Sequence, residues 1–378
     1  MTNVRFDNVK ISAIKCIVPQ NIINISDEIE YFDNSEKKLN RAKKILGYGT
    51  RHVVDDKTTA SDLVYEAGKE LIEKLNIDKD SIDCLLFMSQ CRDYVSPTTA
   101  NVLHGLLDLN ENCAVMDISQ GCSGYVYALW LASSIIQSGS AKKILLLTGD
   151  TFSKYSYQSN RLIAPIFGDS GSATMIEYTD SIVNSYFVLG SKGKDWDKII
   201  VPASGARLPI DNEILNTDIT DASNNKWNLS HLIMNGIDVF NFTIEYVPKS
   251  IAETLGFAKV LKEDIELFGL HQANKQIIES IAEKLEIPKE KIPSNTFNKF
   301  GNCTCNSIAL VLAQNLSETN CENVLLSGFG VGMSWASAII NIGGVKNLGI
   351  SLYEDTKNTP TREELKKYWI NRFKTKGE

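Results

Sequence analysis

A cysteine, a histidine and an asparagine carry the chemistry that this chain can perform. Cys122 stands in Gly121-Cys122-Ser123-Gly124, where the strand-like run Ala114-Val115-Met116 gives way to an apolar helical pattern from Tyr125 to Ile136. A thiol at that junction meets unpaired N–H groups and the positive end of a helix dipole. Both favour thiolate over thiol, so Cys122 is a candidate nucleophile. Its small neighbours let a substrate and other backbones approach the sulfur. His271, in Leu270-His271-Gln272-Ala273-Asn274, directly follows an apolar strand. That is the carboxyl edge of a sheet, where α/β proteins bind ligands. Asn302, in Gly301-Asn302-Cys303, stands at the start of a further helix. A cysteine paired with a histidine is the pattern of nucleophilic catalysis.

The elements that must bring these residues together are legible as two similar halves. Val9–Val18 reads as a first strand. Thr59–Leu75 reads as an amphipathic helix with Thr59 as its N-cap, and Ile82–Ser89 as a buried strand. The charged stretch Asp27–Lys44 reads as an exposed helical region. Lys143–Thr148 is a second buried strand, and Phe167–Glu177 a Gly-rich turn entering a third. Ile265–Leu270, Val324–Gly328 and Phe329–Ile340 then repeat that order, and Gly301-Asn302-Cys303 repeats Gly121-Cys122. A period this long marks a duplicated α/β domain rather than a solenoid. The reading is an N-terminal half over 1–178 with the cysteine, and a C-terminal half over 179–345 with the histidine and asparagine. Residues 346–378 form a charged tail, helical over Thr361–Phe373, outside the duplicated core. A pseudo-twofold between the halves would make Cys122, His271 and Asn302 converge at one cleft.

Composition narrows the setting. An apolar content of 43% with 22% charged residues is ordinary for a soluble globular protein. The net charge of −7 argues against nucleic acid or an anionic membrane as main partner. The polar N-terminus MTNVRFDNVK does not read as a signal peptide, and the apolar stretch Tyr125–Ile136 is too short to span a bilayer. The cysteines at 16, 84, 91, 113, 122, 303, 305 and 321 are scattered without a CxxC pair, which indicates neither a disulfide framework nor a zinc site. A reducing, cytoplasmic location is expected.

As a set, several segments resemble the β-ketoacyl-ACP synthase III family of the thiolase superfamily. They are MDISQGCSGYVYAL at 116–129, IFGDSGSA at 166–173, MNGIDVFNF at 234–242, HQAN at 271–274, GN at 301–302 and GFGVGMSWASA at 328–338. The similarity runs from about residue 9 to residue 342. It implies a five-layered α-β-α-β-α fold, a homodimer, and an active site of Cys122, His271 and Asn302. It also implies ping-pong chemistry that needs no cofactor and no metal. Cys122 takes an acyl group from acyl-CoA or acyl-ACP, while backbone N–H groups of Cys122 and the Gly330-Val331 turn hold the oxyanion. His271 and Asn302 then donate to the thioester carbonyl of malonyl-ACP, and the enolate left by decarboxylation attacks the acyl group. Asn rather than a carboxylate at 302 offers neutral donors and suits C–C bond formation.

The resemblance further assigns Asn274 to the site and Arg161 to the nucleotide of CoA. Ser96, ahead of Pro97, stands where a bulky residue often bounds the acyl pocket. The Trp and Arg that usually clamp CoA are replaced by Arg41-Ala42-Lys43-Lys44-Ile45-Leu46, which has no Trp. The basic residues Arg41, Lys43 and Lys44 suit an acidic carrier protein. Cys303 and Cys305 read as packing residues. Two alternatives stand beside the condensing enzyme: acyl transfer to O, N or S without decarboxylation, and a non-catalytic subunit of a heteromeric synthase.

Overall fold

The computed structural model describes residues 1–316 and 322–374, so Cys321 lies outside it. The strands of its two large sheets, in chain order, are β1 (Thr2–Phe6), β2 (Val9–Val18), β3 (Cys84–Met88), β4 (Ala114–Ile118), β5 (Lys143–Asp150) and β6 (Ser170–Tyr178). After these come β7 (Ser185–Ser191), β8 (Leu267–Leu270), β9 (Asn323–Gly330), β10 (Ser334–Asn341) and β11 (Lys346–Leu352). A six-stranded sheet runs β11-β2-β6-β5-β3-β4, and a five-stranded sheet runs β1-β7-β10-β9-β8. The two share one pairing pattern. β3 is parallel to β5, β5 antiparallel to β6, and β6 antiparallel to β2. Likewise β8 is parallel to β9, β9 antiparallel to β10, and β10 antiparallel to β7. The duplication read in the sequence is thus present in four strands of each sheet.

The helices that matter are α1 (Glu36–Leu46), α2 (Ala60–Lys74), α3 (Thr99–Leu107), α4 (Gly124–Gln137), α5 (Gly236–Ala258), α6 (Lys275–Leu285), α7 (Ser307–Asn315) and α8 (Arg362–Lys374). Helix α2 starts where the sequence puts it: the Asp62 carboxylate turns back to accept the backbone N–H of Thr59 at 2.7 Å. Its buried residues Ala60, Leu63, Val64, Ala67 and Leu71 recur at helical spacing and pack, with α3, on the outer face of the six-stranded sheet. Helices α5 and α6 cover the outer face of the other sheet. Helices α4 and α7 are apolar on nearly every side, so neither has a face to offer water. Tyr125, Val126, Leu129, Ala132 and Ile136 of α4 join Ile308, Leu310 and Leu312 of α7 in the core between the sheets. The result is five layers, α-β-α-β-α, with the helix that follows Cys122 in the middle one.

The boundaries between halves differ from the sequence reading at both ends of the chain. β1, assigned to the first half, pairs antiparallel with β7 and extends the second half's sheet. β11, assigned to the tail, pairs parallel with β2 and extends the first half's sheet. For β11 a physical reason is Lys15 on β2, which is 1% exposed. Its ammonium pairs with Glu70 at 3.2 Å and donates to Ser351 Oγ of β11 at 2.5 Å. A buried lysine needs such partners, and the strand at 346–352 supplies one of them. Beyond it, Asp355 pairs with Lys57 at 2.6 Å and Lys357 pairs with the buried Asp62 at the start of α2. Only α8 is exposed along most of its length, Leu365 being half-buried. No helix of the described residues is long and apolar enough to cross a membrane.

These contacts predict an asymmetry in truncation. Ending the chain after residue 345 strips β11 from its sheet and leaves Lys15 with Glu70 alone, which should lower the melting temperature by at least about 5 °C or prevent folding. Ending it after residue 361 removes only α8 and should shift the melting temperature by no more than about 2 °C. Thermal denaturation of the two truncated proteins checks this, and equal melting temperatures would contradict it.

Candidate active site

Cys122 lies two residues before α4, with Ser123 as N-cap and Gly124 as first helical residue. The turn around it is pressed against the end of β9. A Cβ at Gly330, where φ is +151°, would stand 3.0 Å from the Cys122 sulfur. A Cβ at Gly121 would overlap Val331 at 1.7 Å. The two turns are tied by one hydroxyl: Ser334 Oγ donates to the Val331 carbonyl at 2.8 Å, meets Ser123 Oγ at 2.8 Å, and accepts from Gln120 Nε2 at 3.2 Å. This lattice explains why small and hydroxylic residues fill both GCSG and GFGVGMS.

His271 continues directly from β8, and its backbone N–H donates to the Ser327 carbonyl of the parallel strand β9 at 2.9 Å. Phe329 meets the imidazole edge-on at 5.4 Å between centroids. Nδ1 lies 2.7 Å from Ser307 Oγ, the first residue of α7. Asn302 is held by its backbone to the first half: its N–H donates to the Ile166 carbonyl at 2.9 Å, and its carbonyl accepts from Gly168 at 3.2 Å. Its side-chain Oδ1 accepts from the Thr304 N–H at 2.9 Å, which leaves the Nδ2 donor available to the cavity.

Cys122, His271 and Asn302 line one cavity of about 810 Å³, together with Asn274, Gly330 and Val331. The remaining wall is largely apolar, including Phe152, Leu232, Met234 and Phe240. A volume of that size suits a ligand with a flexible apolar portion. Asn274 has a structural duty as well: its side chain caps α6 by accepting from the Ile277 N–H at 2.9 Å. Two residues singled out in the sequence are not part of the cavity wall. Arg161 is turned away because its guanidinium pairs with Asp33 at 2.8 Å and donates to the Ser223 carbonyl at 2.7 Å. Ser96 is exposed, and Arg92, Asp93, Tyr94 and Val95 of the same loop form the wall instead. The sequence reading did not single out Thr304 or Ser307. Their signal was two hydroxyls shortly after Asn302 in a segment otherwise read as packing.

Electrostatically, burial outweighs the helix end. Removal from water pushes the Cys122 thiol up to about 12, with the N–H of Val331 and its own N–H pulling the other way and Asp150 adding to the rise. Burial thus opposes the thiolate that the helix end favours, because loss of hydration costs an anion more than the flanking N–H groups restore. Burial likewise pulls His271 down to about 3, opposed by the Thr304 backbone, so the imidazole is neutral at physiological pH.

The chain is similar to known proteins over most of its length. Residues 116–193 match the family described as 3-oxoacyl-(acyl-carrier-protein (ACP)) synthase III, and residues 255–342 match its C-terminal part. A Campylobacter jejuni relative, provisionally named a 3-oxoacyl-(acyl-carrier-protein) synthase 3, is 40% identical over 93% of this chain and 99% of its own. A β-ketoacyl-(acyl-carrier-protein) synthase III of Acholeplasma laidlawii is 30% identical over 88% of this chain and 98% of its own. Among solved structures, a 3-oxoacyl-(acyl-carrier protein) synthase of Burkholderia xenovorans superposes with a TM-score of 0.85 at 34% identity. It covers 93% of this chain and 99% of that one.

The raised thiol gives a pH prediction with a definite sign. Below its pKa the thiolate fraction rises about tenfold per pH unit, so alkylation of Cys122 by iodoacetamide should keep accelerating from pH 6 to pH 9 without a plateau. Peptide mass mapping of the rate at this residue checks it, and a plateau reached near neutrality would mean a preformed thiolate.

Proposed function

The chain belongs to the 3-oxoacyl-(acyl-carrier-protein) synthase III family and is a condensing acyltransferase, and on that footing we propose that Cys122, His271 and Asn302 perform its two half-reactions. The observation that supports this most is that all three border a single cavity, with the Asn302 amide oriented as a donor by the Thr304 N–H. In acyl transfer the Cys122 sulfur attacks a thioester carbonyl. The tetrahedral oxyanion is received by the N–H groups of Cys122 and Val331, aimed into the cavity without side-chain obstruction because residue 330 is glycine. The old C–S bond breaks, and the proton of the Cys122 thiol ends on the departing sulfur.

In condensation a malonyl thioester replaces that product. Asn302 Nδ2 and His271 Nε2 donate to its carbonyl oxygen as CO₂ leaves and its bonding pair moves onto the α-carbon. His271 can donate from Nε2 when the Ser307 hydroxyl turns to Nδ1, and the Thr304 carbonyl then keeps the backbone N–H of Ser307 as its partner. The α-carbon attacks the acyl group, a C–C bond forms, the C–S bond to Cys122 breaks with its electron pair on the sulfur, which takes a proton from solvent, and a β-ketoacyl thioester departs. Neutral donors suit this step, since they stabilise an enolate by hydrogen bonds without handing it a proton.

An acyl carrier protein is a partner of the family's reaction, and we place carrier protein ahead of free CoA as acyl donor too. Arg161 is already neutralised by Asp33. Helix α1 exposes Arg41 and Lys44, engages Lys43 with Ser26 Oγ at 2.6 Å, and ends in Leu46 on the cavity wall. A homodimer is supported by the free edge of β4, where Ala114 and Met116 are exposed and no described strand pairs on that side. A cytoplasmic location accords with the free thiols among the described cysteines.

Two experiments test this reading. Cys122→Ala should abolish covalent acylation as seen by intact mass, with the fold retained. His271→Ala and Asn302→Ala should still acylate while malonyl-ACP decarboxylation slows by about a hundredfold or more, as loss of one transition-state donor does elsewhere. Wild-type decarboxylation by Asn302→Ala would remove that residue from the chemistry. For the donor, charge reversal at Lys43 and Lys44 should slow acylation from acyl-ACP and leave acylation from acyl-CoA nearly unchanged, while faster acylation of the wild type by CoA would reject the preference.

A further inference from the structure

Thr304 holds a backbone conformation that β-branched residues seldom adopt, with φ at +46°. It is 2% exposed and borders the cavity between Asn302 and Ser307. Its three polar groups point in three useful directions. The N–H donates to Asn302 Oδ1 at 2.9 Å. The carbonyl accepts from Ser307 Oγ at 2.9 Å, and that same oxygen lies 2.7 Å from His271 Nδ1. The hydroxyl donates to the carboxylate of Asp150 at the end of β5.

Asp150 is 1% exposed and gathers donors from residues 89–91 of its own half. Its Oδ1 accepts from Ser89 Oγ at 2.8 Å, from the Gln90 N–H at 2.8 Å and from the Cys91 N–H at 3.2 Å, and its Oδ2 meets Cys305 Sγ at 3.2 Å. No salt bridge to Asp150 is found among the described residues, so hydrogen bonds from these groups supply its compensation. A buried carboxylate with that many fixed donors is a rigid post, and the Thr304 hydroxyl is the tie that fastens the strained turn to it.

We propose that Thr304, clamped by Asp150, is a positioning residue that orients both decarboxylation donors at once: Asn302 through its N–H, and His271 through the carbonyl that holds Ser307 by its backbone N–H while the Ser307 hydroxyl turns to Nδ1. This rests on the roles given above to Asn302 and His271. Without the hydroxyl the turn is free to leave φ +46°, the Asn302 amide loses the bond that directs Nδ2, and the partner of Ser307 moves. Cys122 and the Gly330-Val331 turn do not depend on this tie, so acyl transfer is spared.

The test compares Thr304→Val, which keeps the β-branched shape and loses the hydroxyl, with Thr304→Ser, which keeps the hydroxyl. Thr304→Val should lower kcat for malonyl-ACP decarboxylation by about tenfold to a hundredfold, the range for losing a hydrogen bond to a charged acceptor, with KM nearly unchanged. Its rate of Cys122 acylation should stay within about threefold of wild type, since no shared contact is lost. Thr304→Ser should restore most of kcat, and melting curves of both variants confirm folding. Asn302→Ala is measured beside them. If it loses decarboxylation while Thr304→Val keeps it, this inference alone fails; if Asn302→Ala keeps it, the underlying assignment fails. Equal loss of acylation and decarboxylation in Thr304→Val, with no rescue by serine, would show a merely structural role.

Discussion

Everything at the centre of this molecule depends on how closely two turns can approach across the pseudo-twofold. The GCSG turn before α4 and the Gly330-Val331 turn after β9 come from different halves, yet the sulfur of one nearly touches the backbone of the other. Any side chain at 121 or 330 would drive them apart, and the Val331 N–H would then no longer reach the space beside the sulfur. The two sheets stay in register because α4 and α7, apolar on almost all sides, have nowhere to go but between them. Core packing and catalytic geometry are thus one constraint: what buries those helices also sets their first residues face to face.

The same enclosure governs the electrostatics. A helix N-terminus contributes roughly half a positive charge, an effect that falls off within the first turn. Against that stands the desolvation of a sulfur on the floor of a mostly apolar cavity, and desolvation dominates. Burial raises the thiol and lowers the imidazole, so it favours the neutral pair over an ion pair. That state is chemically coherent for this reaction. An enclosed thiolate would be exposed to alkylation and oxidation, and an imidazolium could protonate the carbanion that must form the new C–C bond. Polarity is supplied instead by fixed donors: two N–H groups near the sulfur, and the amide of Asn302.

The polar groups that carry no charge change are the most tightly specified. Asn302 is fixed at its backbone by residues 166–168 of the other half, at its side chain by Thr304, and from behind by the close approach of Gly301 to Arg51. Arg51 in turn is buried and paired with Glu28 at 2.5 Å. One amide nitrogen is therefore located by contacts that reach back into the N-terminal fifth of the chain, which is why the site cannot be cut out of the duplicated core.

Much of this was legible in the amino-acid order alone. Periodicity identified α2, the buried strands and the apolar helix after Cys122, because those patterns are local. The repeat of strand, Gly-rich turn and strand revealed the duplication, and with it the convergence of Cys122, His271 and Asn302, since a pseudo-twofold brings equivalent loops together. What stayed hidden was set by contacts between distant segments. The addition of β11 to the first half's sheet brings Lys15 to Ser351, and that of β1 to the second half's sheet rests on its pairing with β7, both contacts between distant segments. The removal of Arg161 from the cavity turns on Asp33. The resting state of the thiol turns on how completely water is excluded, which no spacing of residues records. The role of Thr304 depends on a backbone angle and a carboxylate far away in sequence, so a threonine in a packing segment gave no local sign of it. Local pattern determined which groups exist and in what order; burial and long-range pairing, the products of tertiary packing, decided their charge, their orientation and which of them face the cavity.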